Sequence, residues 1–591
     1  MLGVNRLLGR LRPGWVFSPQ EIVALYVAVA VATNLAGHDV LQILFTTLTY
    51  IVRRADIETG WQSDIVPYLP GHLFVQDRAA IDALYRGNST LYRWDHIQPW
   101  LAPLGWWTLF TLLLVWTMLC LTTLFRRQWE AEKLTYPIAE LPLYILTEER
   151  TLFRAPALWV GIAVGAVGQT MNLVHALFPS VPALPIGIQV LPNDVYPWSA
   201  AGPLTLSLFP FAIGLAFLLP TQLAFSCLFF FAFNRAEMIL SAMLGYGYLE
   251  QGKFPYVEQQ GVGAAFGIFV SVVWVARKHL ARVWEAATGG AASALDDSQE
   301  ALSYRTAVFG LMAGVAGLVW FAVAAGMQWG TALCYLGILF VVVVVVARLR
   351  AELGLPTFGL GYTGSADQVM QNVAGTNAWS RGDLTGMAMF FWLTRTQRQF
   401  PMQTHVDAMH LGRRTNTPLR SLSVVILGGS ALGIVAAFWA FLSTTYRVGY
   451  ETANFQGPAI PAFGHAPWQQ LHGWLRSPPP PDAGTVKAYV FGAAFTLVLS
   501  LLRSRVLWWP LHPAGYLIAT NYGVFRLWLP IFLGWMVKSL LLRYGGLGAY
   551  RRALPFFIGL VLGEFSAAFL RSVLDLAFDL YLPPSSGIGG L

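Results

Sequence analysis

Long apolar runs recur along the chain from Glu21 to Leu574, and short arginine-rich loops lie between alternate runs. A run of about 18 or more apolar residues crosses a bilayer as a helix, because lipid offers the backbone amides no partner outside their own segment. The pattern predicts crossings near 19–36, 101–125, 156–178, 202–220, 221–246, 261–277, 306–326, 329–348, 421–443, 487–503, 507–523, 524–542 and 554–574. The expected architecture is an all-α, polytopic integral membrane helical bundle of about 13 crossings. Four segments are apolar but too short or too interrupted to cross simply: 38–52 after Gly37, the Gly/Asn/Thr-rich 359–383, the short 384–393, and 508–516, whose WWPLHPAGY carries two prolines. These are expected as broken or re-entrant segments. Non-helical backbone survives at membrane depth only where protein buries it or it lines a cavity, and transporters commonly build substrate sites on such breaks.

Charge orients the ladder. Arginine and lysine gather at alternate span ends, as in Arg126, Arg127 and Lys133, then Arg277, Lys278 and Arg282, then Arg413, Arg414 and Arg420, then Arg543, Arg551 and Arg552, whereas 181–201 has none. By the positive-inside rule this predicts a multi-pass protein of the plasma (inner) membrane with its N-terminus cytoplasmic and its C-terminus outside. The opening MLGVNRLLGRLRPGW is expected to lead into an uncleaved first span. The expected organisation is a membrane half at 1–277 with an outer loop at 53–100, a cytoplasmic linker at 278–305, and a second half at 306–591 with an outer loop at 444–486.

Composition agrees: 56% of residues are hydrophobic, 12% are charged and the mean hydropathy is +0.54. The net charge of +8 does not indicate nucleic acid, because the basic residues sit at span ends rather than on one basic face. Cys120, Cys227 and Cys334 lie inside apolar runs, which excludes a disulfide framework and a CxxC metal site.

Two juxtamembrane segments echo each other. FRRQWEAEKLTYPIAELP follows the second span and VARLRAELGLPTFGLGY the eighth. Both set arginines, a glutamate (Glu132, Glu352), a leucine (Leu134, Leu353) and a proline (Pro137, Pro356) in that order, with the glutamate-to-proline spacing differing by one residue. Copies of like orientation are the mark of a parallel two-half repeat. The stretches RRQWEAEKLTYPIAELPL, ARLRAELGLP, WWPLHPAGY and LGWMVKSLLLRYGGLGAYRRALPFFIGLVLGE resemble an uncharacterised bacterial family of large polytopic proteins made of paired domains of unknown function. The Glu-x-Leu-x-Tyr-Pro element is similar to one in the oligopeptide-transporter superfamily. That second resemblance implies proton-coupled import of peptides or metal chelates.

Ionisable side chains inside spans are costly and mark pathways or helix partners. Arg235 and Glu237 are two residues apart, so on a straight helix each needs its own partner. Glu564 sits mid-span, where it either carries a proton or pairs with Lys538 or Arg571. Glu132 and Glu352 belong to the echo, Tyr136 to the Glu-x-Leu-x-Tyr-Pro element, His512 stands between the prolines of 508–516, and His38-Asp39 follow the first span. His405, Asp407 and His410 scatter around a helix and do not form a three-ligand metal site. No GxxxxGK[ST], HExxH or strand-linked GxGxxG occurs, so neither ATP-driven transport nor soluble-enzyme chemistry is indicated, and no cofactor is implied.

Three functions fit. The first is a secondary active transporter of a small polar solute, coupled to a proton or cation. The second is a membrane-embedded glycosyltransferase with a lipid-linked donor, in which the first-loop pair Asp56 and Glu58 would hold a divalent cation. The third is a non-catalytic subunit or scaffold whose buried charges join helices. The partners expected are the bilayer, the solute and its coupling ion; a homo-oligomer is compatible, and nucleic acid is not expected.

Overall fold

The computed structural model describes the chain apart from residues 1–4, 6–8, 10, 12, 38–39, 186, 191–194, 203, 247–252, 290–294, 355–359, 396, 398, 453–459 and 579–591. His38, Asp39 and Pro356 therefore lie outside the described residues. Among the described residues 10 helices are long and apolar enough to cross a membrane, and the only sheet is a two-stranded ribbon, Gly187–Gln189 with Thr205–Ser207. The chain is a polytopic all-α membrane protein.

The 10 helices differ from the expected crossings in three places. The run at 202–220 yields only the nine-residue helix Pro210–Leu218, because the ribbon takes its start and Pro220 opens the next helix. Nine residues rise about 14 Å, roughly half a bilayer core. The run at 507–523 yields only Pro513–Ala519, because Pro510 and Pro513 remove two backbone donors. The last two expected spans form one helical stretch, Tyr522–Phe578, kinked at Gly546, whose φ of 63° is readily open only to glycine. The segment 38–52 is largely the helix Leu41–Arg54, buried along most of its length.

The residues group into two units, 1–134 with 273–347 and 364–483, and 135–272 with 348–363 and 484–591. In the first, Gly429 and Gly433 of helix Leu419–Val448 face Ala28 and Ala32 of helix Pro19–Ala36. Segments 53–100 and 444–486 pack with helix Leu41–Arg54: Trp100 stacks on Phe45 at 4.8 Å and donates to Tyr446 OH at 3.1 Å, while Trp468 donates to the Thr47 carbonyl at 3.0 Å. Arg126, nearly fully buried, grips Glu300 with two bonds of 2.8 and 2.5 Å.

The second unit is held by facing glycines. Gly161 and Gly165 of helix Pro156–Leu177 lie against the backbone at Phe556 and Leu560, and Gly559 and Gly563 lie against Leu158 and Ile162. A Cβ at any of the four would fall on a carbonyl oxygen of the neighbouring helix. Lipid tails are as apolar as leucine, so helices in a membrane associate through such close van der Waals contact rather than by escaping water.

Candidate functional site

The break at 508–512 sits in the second unit and is tied down by polar groups. Two prolines leave its backbone without helical bonds, and Ser226, from helix Thr221–Met243, supplies them instead. Its hydroxyl accepts from His512 N at 2.9 Å, and its one hydrogen is shared between Gln222 O at 2.7 Å and Pro510 O at 3.1 Å. His512 then caps Pro513–Ala519, its Nδ1 accepting from Ala514 N at 3.1 Å. An accepting Nδ1 carries no hydrogen, so the neutral ring holds its proton on Nε2, which donates to Glu352 Oε1 at 2.7 Å. The other oxygen of Glu352 accepts from Arg348 Nε at 3.3 Å, and Arg503 lies within electrostatic range.

Four residues beyond His512, the buried Tyr516 donates to Gln260 Oε1 at 2.5 Å. Gln260 spends its amide hydrogens on Glu237 Oε1 at 3.0 Å and on the Pro255 carbonyl at 2.8 Å. These three bonds fix which way the amide points. A Cβ at Gly492 would fall on the Gln260 carbonyl, so helix Ala483–Arg505 can lie against this point only through glycine. The result is a polar thread in two bonded pieces, Arg348–Glu352–His512 and Tyr516–Gln260–Glu237, joined only through helix Pro513–Ala519. At its far end Glu237 Oε2 is buried without a hydrogen-bond partner, and so are both amide atoms of Asn234, which is 3% exposed.

The sequence-derived candidates distribute as follows. Glu352 and His512 meet directly. Tyr136, with φ of 42°, is buried beside them: its N donates to Ala351 O at 2.8 Å, and Thr135 Oγ1 donates to the Glu352 carbonyl at 2.8 Å. Glu132 belongs to the other unit and accepts from Gln128 at 2.9 Å. Arg235 and Glu237 point apart, as their two-residue offset requires; the guanidinium lies 4.0 Å over Phe525 and 5.1 Å over Phe231.

Glu564 is not paired with Lys538 or Arg571. Its carboxylate accepts from Phe211 N at 2.7 Å, while Lys538 Nζ donates to the carbonyls of Leu219 at 2.6 Å and Leu218 at 3.3 Å. Both charges thus clamp the half-length helix Pro210–Leu218, the anion at its positive end and the cation at its negative end. Asp56 lies on an exposed turn in an ion pair with Arg78, and the Glu58 amide closes that turn on Arg54 O at 3.0 Å.

Gln260, Tyr516, Ser226 and Asn234 are the residues sequence reasoning missed. One signal was present: Ser226, Asn234, Glu237 and Ser241 fall within about 80° of arc on a 100°-per-residue helix, a polar stripe on a spanning segment. The first unit has buried polar groups of its own outside the spans. Thr394 Oγ1 donates to Asp367 at 3.4 Å, and burial raises that carboxyl. Burial also pushes the His405 imidazole down to about 3, only partly offset by the Met118 carbonyl. Among the described residues no three His, Cys, Asp or Glu side chains group as a metal site.

The chain belongs to the Family of unknown function (DUF6785), whose model matches residues 1–584. No curated protein matches it. The match accounts for the uncharacterised polytopic family expected from the four motifs; the likeness to oligopeptide transporters has no counterpart in it.

Proposed function

We propose that this family member is a secondary active transporter of a small polar solute, driven by a proton or cation gradient across the plasma (inner) membrane, with its N-terminus cytoplasmic and its C-terminus outside. One observation supports this above all. A thread of polar side chains runs through an apolar unit and is built on a non-helical break, the arrangement transporters use for substrates and coupling ions.

The His512 geometry supplies a means of coupling. A second proton on the ring must sit on Nδ1, where Ala514 N already donates. Protonation and capping therefore exclude each other, and loading the ring releases the first turn of Pro513–Ala519, which carries Tyr516. Glu352 is the acceptor that holds the ring in place, with Arg348 and Arg503 setting the local charge. The test is uptake by proteoliposomes under an imposed proton gradient, across a panel of amino acids, short peptides, metal chelates and sugars. Gradient-driven uptake that His512→Ala and Glu352→Gln abolish is expected; no uptake across the panel contradicts the reading.

A further inference from the structure

We infer that Glu237 and Asn234 form the binding site for a cationic N–H group, an ammonium or guanidinium. This names the solute's chemistry and rests on the transport reading for its purpose. Three independent features converge. The first is unmet hydrogen bonding: Glu237 Oε2 and both amide atoms of Asn234 have no partner in a buried setting. The two residues are one helical turn apart on the same face, close enough to share one ligand. Neither is a hydrogen-bond partner of the other, so satisfying both requires a third group. A buried polar group without a partner costs about 1–3 kcal/mol, which a donor-bearing ligand recovers.

The second feature is charge. No ion pair involves Glu237 among the described residues, and its neighbour Arg235 is committed to Phe525 and Phe231. Gln260 cannot rotate to help, because all its side-chain bonds are made. Glu237 Oε2 and Asn234 Oδ1 are acceptors, and a carboxylate with no cation asks for a positively charged donor.

The third feature is a neighbouring cavity, which Asn234 and Glu237 do not themselves line. A cavity of about 510 Å³ lies one turn further along the same helix, where Met238 and Ser241 line it together with Pro255, which Gln260 holds. Ser199, Lys253, Glu258 and Gln259 give it polar walls of both charge signs, and the volume suits a small solute.

The test uses the full chain in lipid nanodiscs and calorimetric titration with millimolar methylammonium, guanidinium and ammonium chloride, against potassium chloride at the same ionic strength. Saturable binding of the organic cations is expected in the unaltered protein. Glu237→Gln keeps the acceptor for Gln260 but removes the charge, and should weaken binding about tenfold or more. Asn234→Leu should do likewise. Met238→Trp should block entry from the cavity side and leaves both binding residues in place, so a folding defect in either of the other variants does not protect the proposal. Ammonium binding as tightly as guanidinium would identify the free ion as the ligand; preference for the organic cations would identify a solute head group, and both support the site. Potassium binding equally well, or Glu237→Gln titrating like the unaltered protein, overturns it. Binding without gradient-driven uptake would refute the transport reading alone, and uptake without cation binding would refute this inference alone.

Discussion

Two short helices in the second unit carry the same kinds of residue to opposite ends. Pro210–Leu218 is clamped by Glu564 at its first turn and Lys538 at its last, and both charges find backbone partners that match the helix dipole. Pro513–Ala519 is capped by His512 and anchored through Tyr516, yet the thread it carries ends on Glu237 and Asn234 with atoms unmet. Both sites hold a carboxylate on a membrane-spanning helix. The contrast shows that burial of a charge does not by itself mark function. At the first helix the carboxylate meets a backbone amide, whereas at the second Glu237 keeps one buried oxygen without a hydrogen-bond partner.

The clamp should break hardest. Glu564→Ala leaves the Phe211 amide unpaired in a buried site and should cost about 3 kcal/mol, whereas Glu564→Gln, which keeps an acceptor, should cost about 1 kcal/mol. Thermal unfolding in one detergent measures both; equal losses would mean the charge itself, not the bond, is what matters. Gly563→Leu drives a side chain into the Ile162 backbone and should cost about 1–3 kcal/mol, while leaving the 508–516 break untouched. If that variant lost solute binding as severely as stability, the separation between clamp and thread would fail.

A third region sharpens the comparison through pH. His405 in the first unit is buried and held down to about 3, so between that value and the ordinary histidine value of about 6.5 the unfolded chain takes up a proton that the folded chain refuses. Stability should therefore fall as pH drops below about 6.5, and His405→Phe should flatten that fall in unfolding curves taken across pH. Tyr516→Phe should cost about 1 kcal/mol, as little as Glu564→Gln, because one hydrogen bond to Gln260 is lost. Its effect on solute binding should be larger than that on stability, since Gln260 then loses one of the three bonds that orient it toward Glu237.

The sequence was most readable where the physics is local. Apolar length alone located the ten long helices, and WWPLHPAGY announced its own break through two prolines. It misread 202–220, where hydropathy counts residues but does not see that a ribbon consumes them. It missed the facing stripes Gly161/Gly165 and Gly559/Gly563, since a glycine pair has meaning only once its partner is known. Glu352 and His512 were each singled out, but their contact joins residues 160 positions apart. The Glu564 partner was out of reach because it is a backbone amide at the start of a short helix, not a side chain. Gln260 and Tyr516 are neutral, and a search for charges passes over them.

The most direct measurement sets the two carboxylates against each other. Gradient-driven solute uptake is compared in proteoliposomes carrying the unaltered protein, Glu237→Gln or Glu564→Gln, each normalised to folded, inserted protein. Glu237→Gln is expected to insert normally and lose uptake, whereas Glu564→Gln is expected to insert less well and transport normally per folded molecule. Full uptake by Glu237→Gln, or loss confined to Glu564→Gln, would contradict the assignment of the open thread to transport and the closed clamp to architecture.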